Sequence, residues 1–473
     1  MRTRHSRTIA LALTLTLGAC VAGPPAEIAT PAPVLPEAFF YQPDRTTQAS
    51  LGSLLPYRDP AFLDLAKLGL DGSPSLAEAV ARIDTARAGA RRAGAERLPR
   101  LDADGSVTGT RTNPNQFGDL GSTGLIDTEQ VSYGANLVAS WDADVFGALR
   151  AQERAAVARI DAASASAQAV RIALIAEIAA SVVDWRTLAA REKALEQDVF
   201  AAEQLATLAK TRENAGLAPG FDRVRAEAAA SASRSRLATL SSERVQIVGR
   251  LVTLTGQASA VINEALEQGG PEANPLPPPM ALPSQLLNNR PDVLATAAEL
   301  AATDADLAAT ARQRFPRITL SAALGLLAFN LGDLFNEDSV VGTLAGSVAA
   351  PLVDFGRIEA EIDGAEANKR AAFQAYRGAV FQALGDAETA YGLIDTIDTE
   401  AALAVRERDE LNRAAELANT RYRAGLADFL TVLEARRAAD ASGERAAAAL
   451  GRAQRARVIL WQALGGEDFE SEG

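Results

Sequence analysis

The chain has 473 residues, of which 48% are hydrophobic and 23% charged, and this composition excludes both a disordered chain and a polytopic helical membrane protein. It has one cysteine and one histidine, which excludes an intramolecular disulfide, a Cys/His zinc site and a histidine-based catalytic triad built from one chain. The net charge of −13 argues against nucleic acid as a partner, because phosphates bind basic surfaces.

The first twenty residues predict a secretion signal. Arginines precede the apolar run Ile9–Leu17, which is shorter than the roughly 20 residues of a membrane-spanning helix. The ending Leu17-Gly18-Ala19-Cys20 resembles the lipobox of bacterial lipoproteins, in which the cysteine is acylated and becomes the new N-terminus. We therefore expect a signal peptide over residues 1–19 and a covalent lipid on Cys20. The alternative is ordinary signal cleavage that leaves Cys20 as a free thiol.

The remainder of the chain reads as one pattern used twice. Phe146-Gly147 recurs 209 residues later as Phe355-Gly356, and Gly256 recurs at the same spacing as Gly465. Arg97–Arg100 recurs 217 residues later as Arg314–Arg317. The two spacings differ by 8, so the first half carries a short insertion between residues 101 and 146, where we expect a free loop. Equal lengths elsewhere indicate segments whose length is fixed by geometry.

These repeats divide the chain into a tether, two structural repeats and the segments that join them. The predicted divisions are a lipidated N-terminal tether over 20–74, a first repeat over 75–268, a Pro-rich linker over 269–284, a second repeat over 285–466 and a C-terminal tail over 467–473.

Each half is predicted to contain one very long helix. Residues 147–216 and 356–425 contain no proline and many strong helix formers, and at 1.5 Å per residue each helix is about 100 Å long. An apolar stripe at helical spacing runs over Ile172, Ile175, Ala176, Ala179 and Val183, and a heptad seam over Leu188, Leu195, Ala202 and Ala209. Shorter helices are predicted at about 75–98, 220–256, 285–313 and 428–464. A soluble coiled-coil rod would share these features.

Short alternating segments between the helices argue against a plain rod. Apolar and polar residues alternate over about 100–110 and 131–142, and less cleanly over 317–327 and 340–350. Runs of about ten residues with period two, paired around a turn-rich segment, are typical of transmembrane β-hairpins, although the edge of a β-sandwich would look similar. Four strands cannot close a barrel, so membrane insertion requires several protomers to combine their strands.

The segment that opens the second half resembles a known family. Leu282–Leu287, Arg290-Pro291-Asp292 and Phe315-Pro316 are similar to the signature of the TolC-like outer-membrane efflux factors, in their lipoprotein branch. The resemblance implies a mainly α protein with transmembrane β-strands. It implies a homotrimer whose twelve-stranded barrel lies in the outer membrane and whose helices form a barrel across the periplasm. It also implies an adaptor protein and an inner-membrane pump as partners, with no chemistry and no cofactor beyond the lipid.

The same resemblance implies where the tunnel closes and where the adaptor docks. The adaptor-contacting tips of the helical hairpins are Gly216, Leu217, Ala218, Gly425, Leu426 and Ala427, and glycine suits the tight turn there. The gate is expected to contain a hydrogen bond from Tyr422 to Asp222, and Glu434 is expected to form an acidic ring at the constriction.

Three other readings remain at the level of the sequence. One is a lipid-tethered coiled-coil spacer, which gives no reason for repeated amphipathic hairpins. Another is a periplasmic adaptor, which carries a single helical hairpin. The third is a carboxylate-pair hydrolase, for which the chain lacks the α/β alternation that forms a cleft.

Overall fold

The structure is a computed structural model that describes residues 30–43, 50–113, 129–270 and 275–467. The predicted signal peptide and Cys20 lie outside the described residues. The helices are α1 Pro60–Gly72, α2 Pro74–Ala95, α3 Ala148–Asn214, α4 Gly220–Thr255, α5 Ser259–Glu267, α6 Leu286–Asn289, α7 Pro291–Ala311, α8 Arg357–Arg423 and α9 Phe429–Ala463. The strands are β1 Arg100–Arg111, β2 Glu129–Ala143, β3 Arg317–Ala328 and β4 Val340–Ala349. Short 3-10 turns occupy Leu51–Leu54, Pro283–Gln285, Arg312–Arg314, Leu331–Asp333 and Glu337–Ser339.

The two long helices have the predicted extents. Both α3 and α8 contain 67 residues, and each begins directly after a glycine with positive φ, Gly147 at 79° and Gly356 at 85°. The prediction of one helix over 285–313 is wrong at its start. Arg290 has ψ of 118° and separates α6 from α7, because a residue that precedes proline is pushed out of the helical region.

One compact unit contains residues 84–161 and 297–374 and carries the sheet. All four strands are antiparallel in the order β1-β2-β3-β4, as the period-two pattern predicts. Arg100 lies opposite Ser140 in the first hairpin, and Arg317 lies opposite Ala349 in the second. Because these residues are related by the spacings 217 and 209, the two hairpins share one register. The repeat inferred from sequence is therefore a structural repeat.

The same unit has a small apolar core between two helices that flank the sheet. Leu307 and Ala311 of α7 are buried against Ile358 and Ile362 of α8. Two further side chains close the end of the sheet. The Trp141 indole donates a hydrogen bond of 2.8 Å to the carbonyl of Arg97, and Phe146 stacks on Phe315 with ring centroids 4.9 Å apart.

A second compact unit contains residues 32–83, 162–296 and 375–467 and holds the main hydrophobic core. All five residues of the predicted stripe on α3 are buried, and so are all four seam positions. The stripe and seam predictions are confirmed. Part of α3 is apolar enough to cross a membrane, but most of that stretch is buried inside the protein, as in a core helix. Each unit contains residues of both sequence repeats, so the repeats are not separate domains.

Part of the predicted tether is instead packed in this core. Asp59 caps α1 by accepting from the Ala61 N–H, and Phe62 and Leu65 are fully buried. The buried Arg186 guanidinium donates to both Asp59 oxygens, at 2.7 and 2.9 Å. The tether prediction is therefore wrong for residues 60–72. Helix α5 was not predicted, because a helix of nine residues is too short to establish a clear period.

Candidate functional site at the helical hairpin tips

Each long helix reverses at a glycine through the same hydrogen-bond pattern. At the first tip, the Gly216 N–H donates to Glu213 and the Leu217 N–H donates to Arg212, both at 2.8 Å. The second tip repeats this arrangement with Gly425 on Tyr422 at 3.0 Å and Leu426 on Arg421 at 2.8 Å. This is the Schellman termination, and it requires the left-handed conformation that both glycines have, with φ of 71° and 74°. The predicted turn positions are confirmed.

The tip leucines project from these turns. Leu217 and Leu426 are each 70% exposed, although large aliphatic side chains gain about 1.5–3 kcal/mol on full burial. The neighbouring Ala218 and Ala427 are half-buried, and Ala427 packs on the apolar cluster behind the tips. The fold therefore presents one unpartnered leucine at each of two equivalent positions.

The apolar cluster behind the tips joins residues of both hairpins. Its buried members are Leu205, Ala209, Ala226, Ala418, Tyr422, Phe429, Val432 and Leu433. Tyr422 is the one member of this set with a polar group on its side chain, and it is only 4% exposed. Its ring meets Phe429 edge to face, with centroids 5.9 Å apart, and the Arg212 guanidinium lies 4.6 Å from its centroid. The ring thus packs between a cation and a second aromatic ring.

The predicted hydrogen bond between Tyr422 and Asp222 is not present. Burial raises the pKa of the Tyr422 phenol, the Arg212 charge opposes that rise, and the Asp222 charge adds to it. Asp222 is therefore close enough to act electrostatically, but Tyr422 makes no hydrogen bond with any residue that the structure describes. The prediction of a Tyr422–Asp222 hydrogen bond is wrong, because Tyr422 is held by its ring rather than by its hydroxyl group.

Glu434 lies on the exposed side of α9, one turn beyond the start of the helix. Within the described residues, its carboxylate has neither a hydrogen bond nor an ion pair. The equivalent residue of the first half is Arg225, whose guanidinium lies 5.3 Å from the centroid of the exposed Phe221 ring. The acidic character of this position therefore belongs to the second half alone.

The start of α9 is capped by a residue that the sequence analysis did not single out. Asp428 accepts hydrogen bonds from the backbone and the hydroxyl of Thr431, at 2.7 and 2.6 Å. These two bonds lower the pKa of the Asp428 carboxyl. The matching helix of the first half, α4, begins after Pro219 and has no side-chain cap. The two tips therefore share their turn but differ in the helix that follows it.

Two buried carboxyl groups form a further cluster that the sequence analysis missed. Asp198 of α3 and Asp440 of α9 are 5% and 4% exposed, and Arg436 lies 3.5 Å from the first and 2.7 Å from the second. Arg236 acts on both electrostatically. A cavity of about 290 Å³ is lined by Asp440, Arg436 and Arg236 on its polar side. The burial of Asp198 could have been predicted from its position, because it stands three residues after Leu195 and so lies on the seam face of the helix.

The signature residues Arg290, Pro291 and Asp292 form a buried clamp at the start of α7. The Arg290 guanidinium donates to Asp292 and to Asp386, at 2.5 and 3.0 Å, and to the carbonyl of Ala463 at 3.0 Å. Burial tends to raise the pKa of Asp292, but the bonds and charge of Arg290 and the N–H of Val293 outweigh it and lower that pKa. The signature therefore joins α7, α8 and the end of α9.

Comparison with known families decides what this architecture is. The family model described as outer membrane efflux protein matches residues 65–257 and 282–466, which is most of the chain and coincides with its two repeats. The chain belongs to this family. No group of three or more His, Cys, Asp or Glu side chains suited to a metal ion occurs in the described ranges.

Two curated relatives of this outer membrane efflux protein come from Pseudomonas aeruginosa. The pyoverdine export outer membrane protein OpmQ is 30% identical over 412 residues, which cover 86% of this chain and 85% of the relative. The outer membrane protein OprJ is 29% identical over 97% of this chain and 95% of its own length. The matches extend over nearly full chains, so the similarity concerns whole proteins.

The fold of the efflux protein is also that of solved channels. The structure of the outer-membrane channel OprN matches with a TM-score of 0.82 and 26% identity, over 94% of this chain and 99% of the other. The chain is accordingly an outer-membrane component of an efflux system with the TolC-like fold. The predicted family, fold class and outer-membrane location are confirmed.

Proposed function

We propose that three copies of this chain assemble into one continuous conduit through the outer membrane. The observation that carries the proposal is the sheet with two unpaired edges. Strands β1 and β4 have 12 and 10 residues, enough to cross a bilayer when tilted, and each lacks a neighbour on one side among the residues that the structure describes. Backbone groups left unpaired in lipid cost several kcal/mol each, so the edges need partners from other copies.

The helical unit is proposed to lie in the periplasm and to receive substrate there. The two exposed leucines at the hairpin tips are the docking points for a periplasmic adaptor, which connects the channel to an inner-membrane pump. Their burial would supply the apolar centre that stable protein interfaces contain. An Ala at each adjacent position offers an apolar contact in place of a hydrogen bond.

The cluster behind the tips is proposed to hold the conduit closed at its periplasmic end. Tyr422 fixes the second hairpin by its ring, with Asp222 in electrostatic range, while Glu434 projects from α9 toward the axis of the trimer. Three copies of Glu434 would then form a collar that attracts cations. Conduction is passive and requires no catalytic residue and no cofactor. A covalent lipid on Cys20 is proposed to anchor the N-terminus in the membrane.

The test is conductance measured on the purified oligomer. Protein extracted in detergent should migrate as a trimer that dissociates on heating in SDS, and it should form ion-conducting pores in planar bilayers. A monomer without pores would refute the assembly. Metabolic labelling with palmitate should mark the wild type and not the Cys20→Ala variant, while both form trimers. Equal labelling of the two proteins would refute the lipid anchor alone.

A further inference from the structure

The two edge strands of the sheet, β1 and β4, are exposed over their whole lengths. Every residue of β1 and of β4 is exposed, whereas β2 and β3 are partly buried. Exposed edges of this length pair with further strands unless charge or bulges prevent it. The proposed assembly brings β4 of one copy to β1 of the next, but it leaves open how the two strands are aligned.

The internal repeat supplies the alignment. The seam between β2 and β3 joins the first hairpin to the second, with Trp141 opposite Leu320 and Leu137 opposite Leu324. In a ring of hairpins, the next seam lies one repeat further on, between β4 and β1 of the following copy. Both hairpins have the same register under the spacings 209 and 217. We therefore expect β4 and β1 of the next copy to have the same register as β2 and β3, with each residue replaced by its repeat equivalent.

We propose that β4 pairs in antiparallel fashion with β1 of the next copy, with Ala350 opposite Ala103 of that copy. The repeat equivalent of Trp141, 209 residues later in the chain, is Ala350. The repeat equivalent of Leu320, 217 residues earlier, is Ala103. This inference rests on the assembly proposed above and specifies its contact surface residue by residue. The partner of each exposed edge strand is a second copy of this chain.

Side-chain size supports the register independently of the repeat. On the apolar face, three successive opposite pairs combine a glycine of one strand with a larger residue of the other. These pairs are Val348 with Gly105, Gly346 with Val107 and Leu344 with Gly109. A slip of two residues would set Gly346 against Gly105 or Gly109, leaving a gap at the seam. A slip of one residue would place apolar side chains on the polar face.

An exposed aromatic residue marks the base of the same seam. Within the chain, Phe146 stacks on Phe315 across the β2–β3 seam. The equivalent of Phe146 is Phe355, which is 98% exposed and has a φ of 53°, a conformation that is rare and strained for a bulky residue. The equivalent of Phe315 is Leu98, which is also exposed and lies beyond the opposite edge of the sheet. The repeat thus places Phe355 on Leu98 of the next copy.

Cysteine cross-linking tests the register directly. The chain's single cysteine is Cys20, so an Ala103→Cys, Ala350→Cys double variant introduces one reactive pair per seam. Oxidation in membranes should yield a covalent trimer on non-reducing gels, at least tenfold more than the Val107→Cys, Ala350→Cys control. The control pair is displaced by four residues, about 13 Å along the strand. Mixing the two single variants should give only covalent dimers, which establishes that the bond joins different copies.

A substitution that the single chain tolerates tests the size pairing. A Cβ added at Gly109 meets nothing within 4 Å in the protomer. Gly109→Leu should therefore leave the fold intact but reduce the trimer fraction at least tenfold, and adding Leu344→Gly should restore it. A trimer that cross-links better through the displaced pair would overturn the register and leave the channel proposal standing. The absence of any oligomer from the wild type would instead refute the proposed assembly.

Discussion

Asp198 of α3 and Asp440 of α9 lie side by side in the helical unit and share a single close arginine. Arg436 contacts both carboxyl groups, Arg236 acts on them from α4, and the pair is almost entirely buried. Burial and the neighbouring Asp440 carboxyl raise the pKa of Asp198 from 3.8 to about 7, although the two arginines oppose the rise. The pKa of Asp440 is raised as well, chiefly by burial. Raised pKa values in both groups mean that the folded pair binds protons more tightly than two free carboxyl groups do.

The raised pKa values of this pair make the protein less stable as the pH rises. A carboxyl group whose pKa is higher in the folded than in the unfolded state binds more protons when folded, so its contribution is complete below the unfolded value and is lost through the folded value. The window here runs from about 4 to about 7. We expect the free energy of unfolding in detergent to be lower at pH 8 than at pH 5 by about 1 kcal/mol or more. The unfolding temperature should fall accordingly.

The matched control for this prediction is Asp440→Asn. The amide carries no charge and can donate to Asp198 without an extra proton, so the variant should show a flatter dependence between pH 5 and 8. The carboxyls of Asp292 and Asp428 have lowered pKa values and therefore titrate below this window. An identical pH dependence in wild type and variant would show that the pair is not the titrating group.

The position of this pair shows what the sequence alone could and could not predict. Long helices, strands and tip glycines follow from local rules of propensity, periodicity and chain reversal, and they appear where expected. Asp198 and Asp440 are 242 residues apart, and nothing local brings them together. The same holds for Arg186 and Asp59, whose ion pair joins α3 to the start of α1, where an unstructured tether was expected. Tertiary contacts of this kind required the structure.

Tyr422 is expected to act through its ring and not through its hydroxyl. Tyr422→Phe should leave the single-channel conductance of the closed state unchanged, because the hydroxyl makes no hydrogen bond with a described residue. Tyr422→Ala removes the contacts with Phe429 and Arg212 and should raise that conductance, since truncation of a buried aromatic costs about 3–5 kcal/mol. A Phe variant as open as the Ala variant would restore the hydrogen-bonded latch expected from sequence.

Arg290 is expected to be far more important for stability than an exposed arginine with an equally short ion pair. It is itself 8% exposed and donates to two half-exposed carboxylates and a helix-end carbonyl, so Arg290→Ala removes charge-assisted hydrogen bonds and should cost about 1.5–3 kcal/mol. Arg452 pairs with Glu400 at 2.5 Å on the surface, and Arg452→Ala should cost about 1 kcal/mol or less. Thermal unfolding of the two variants measures the difference. Equal losses would contradict the clamp.

Glu434 is expected to set ion selectivity without contributing to stability. Its exposed carboxylate pairs with no described residue, so Glu434→Gln should leave thermal unfolding unchanged while lowering the ratio of potassium to chloride permeability in planar bilayers. Each substitution removes three charges from the proposed collar, and attraction between exposed charges weakens with salt. The effect should therefore be larger at 0.1 M than at 1 M salt. Glu434→Asp retains the charge and should retain the selectivity. An unchanged permeability ratio in Glu434→Gln at low salt would place this carboxylate away from the conduction path.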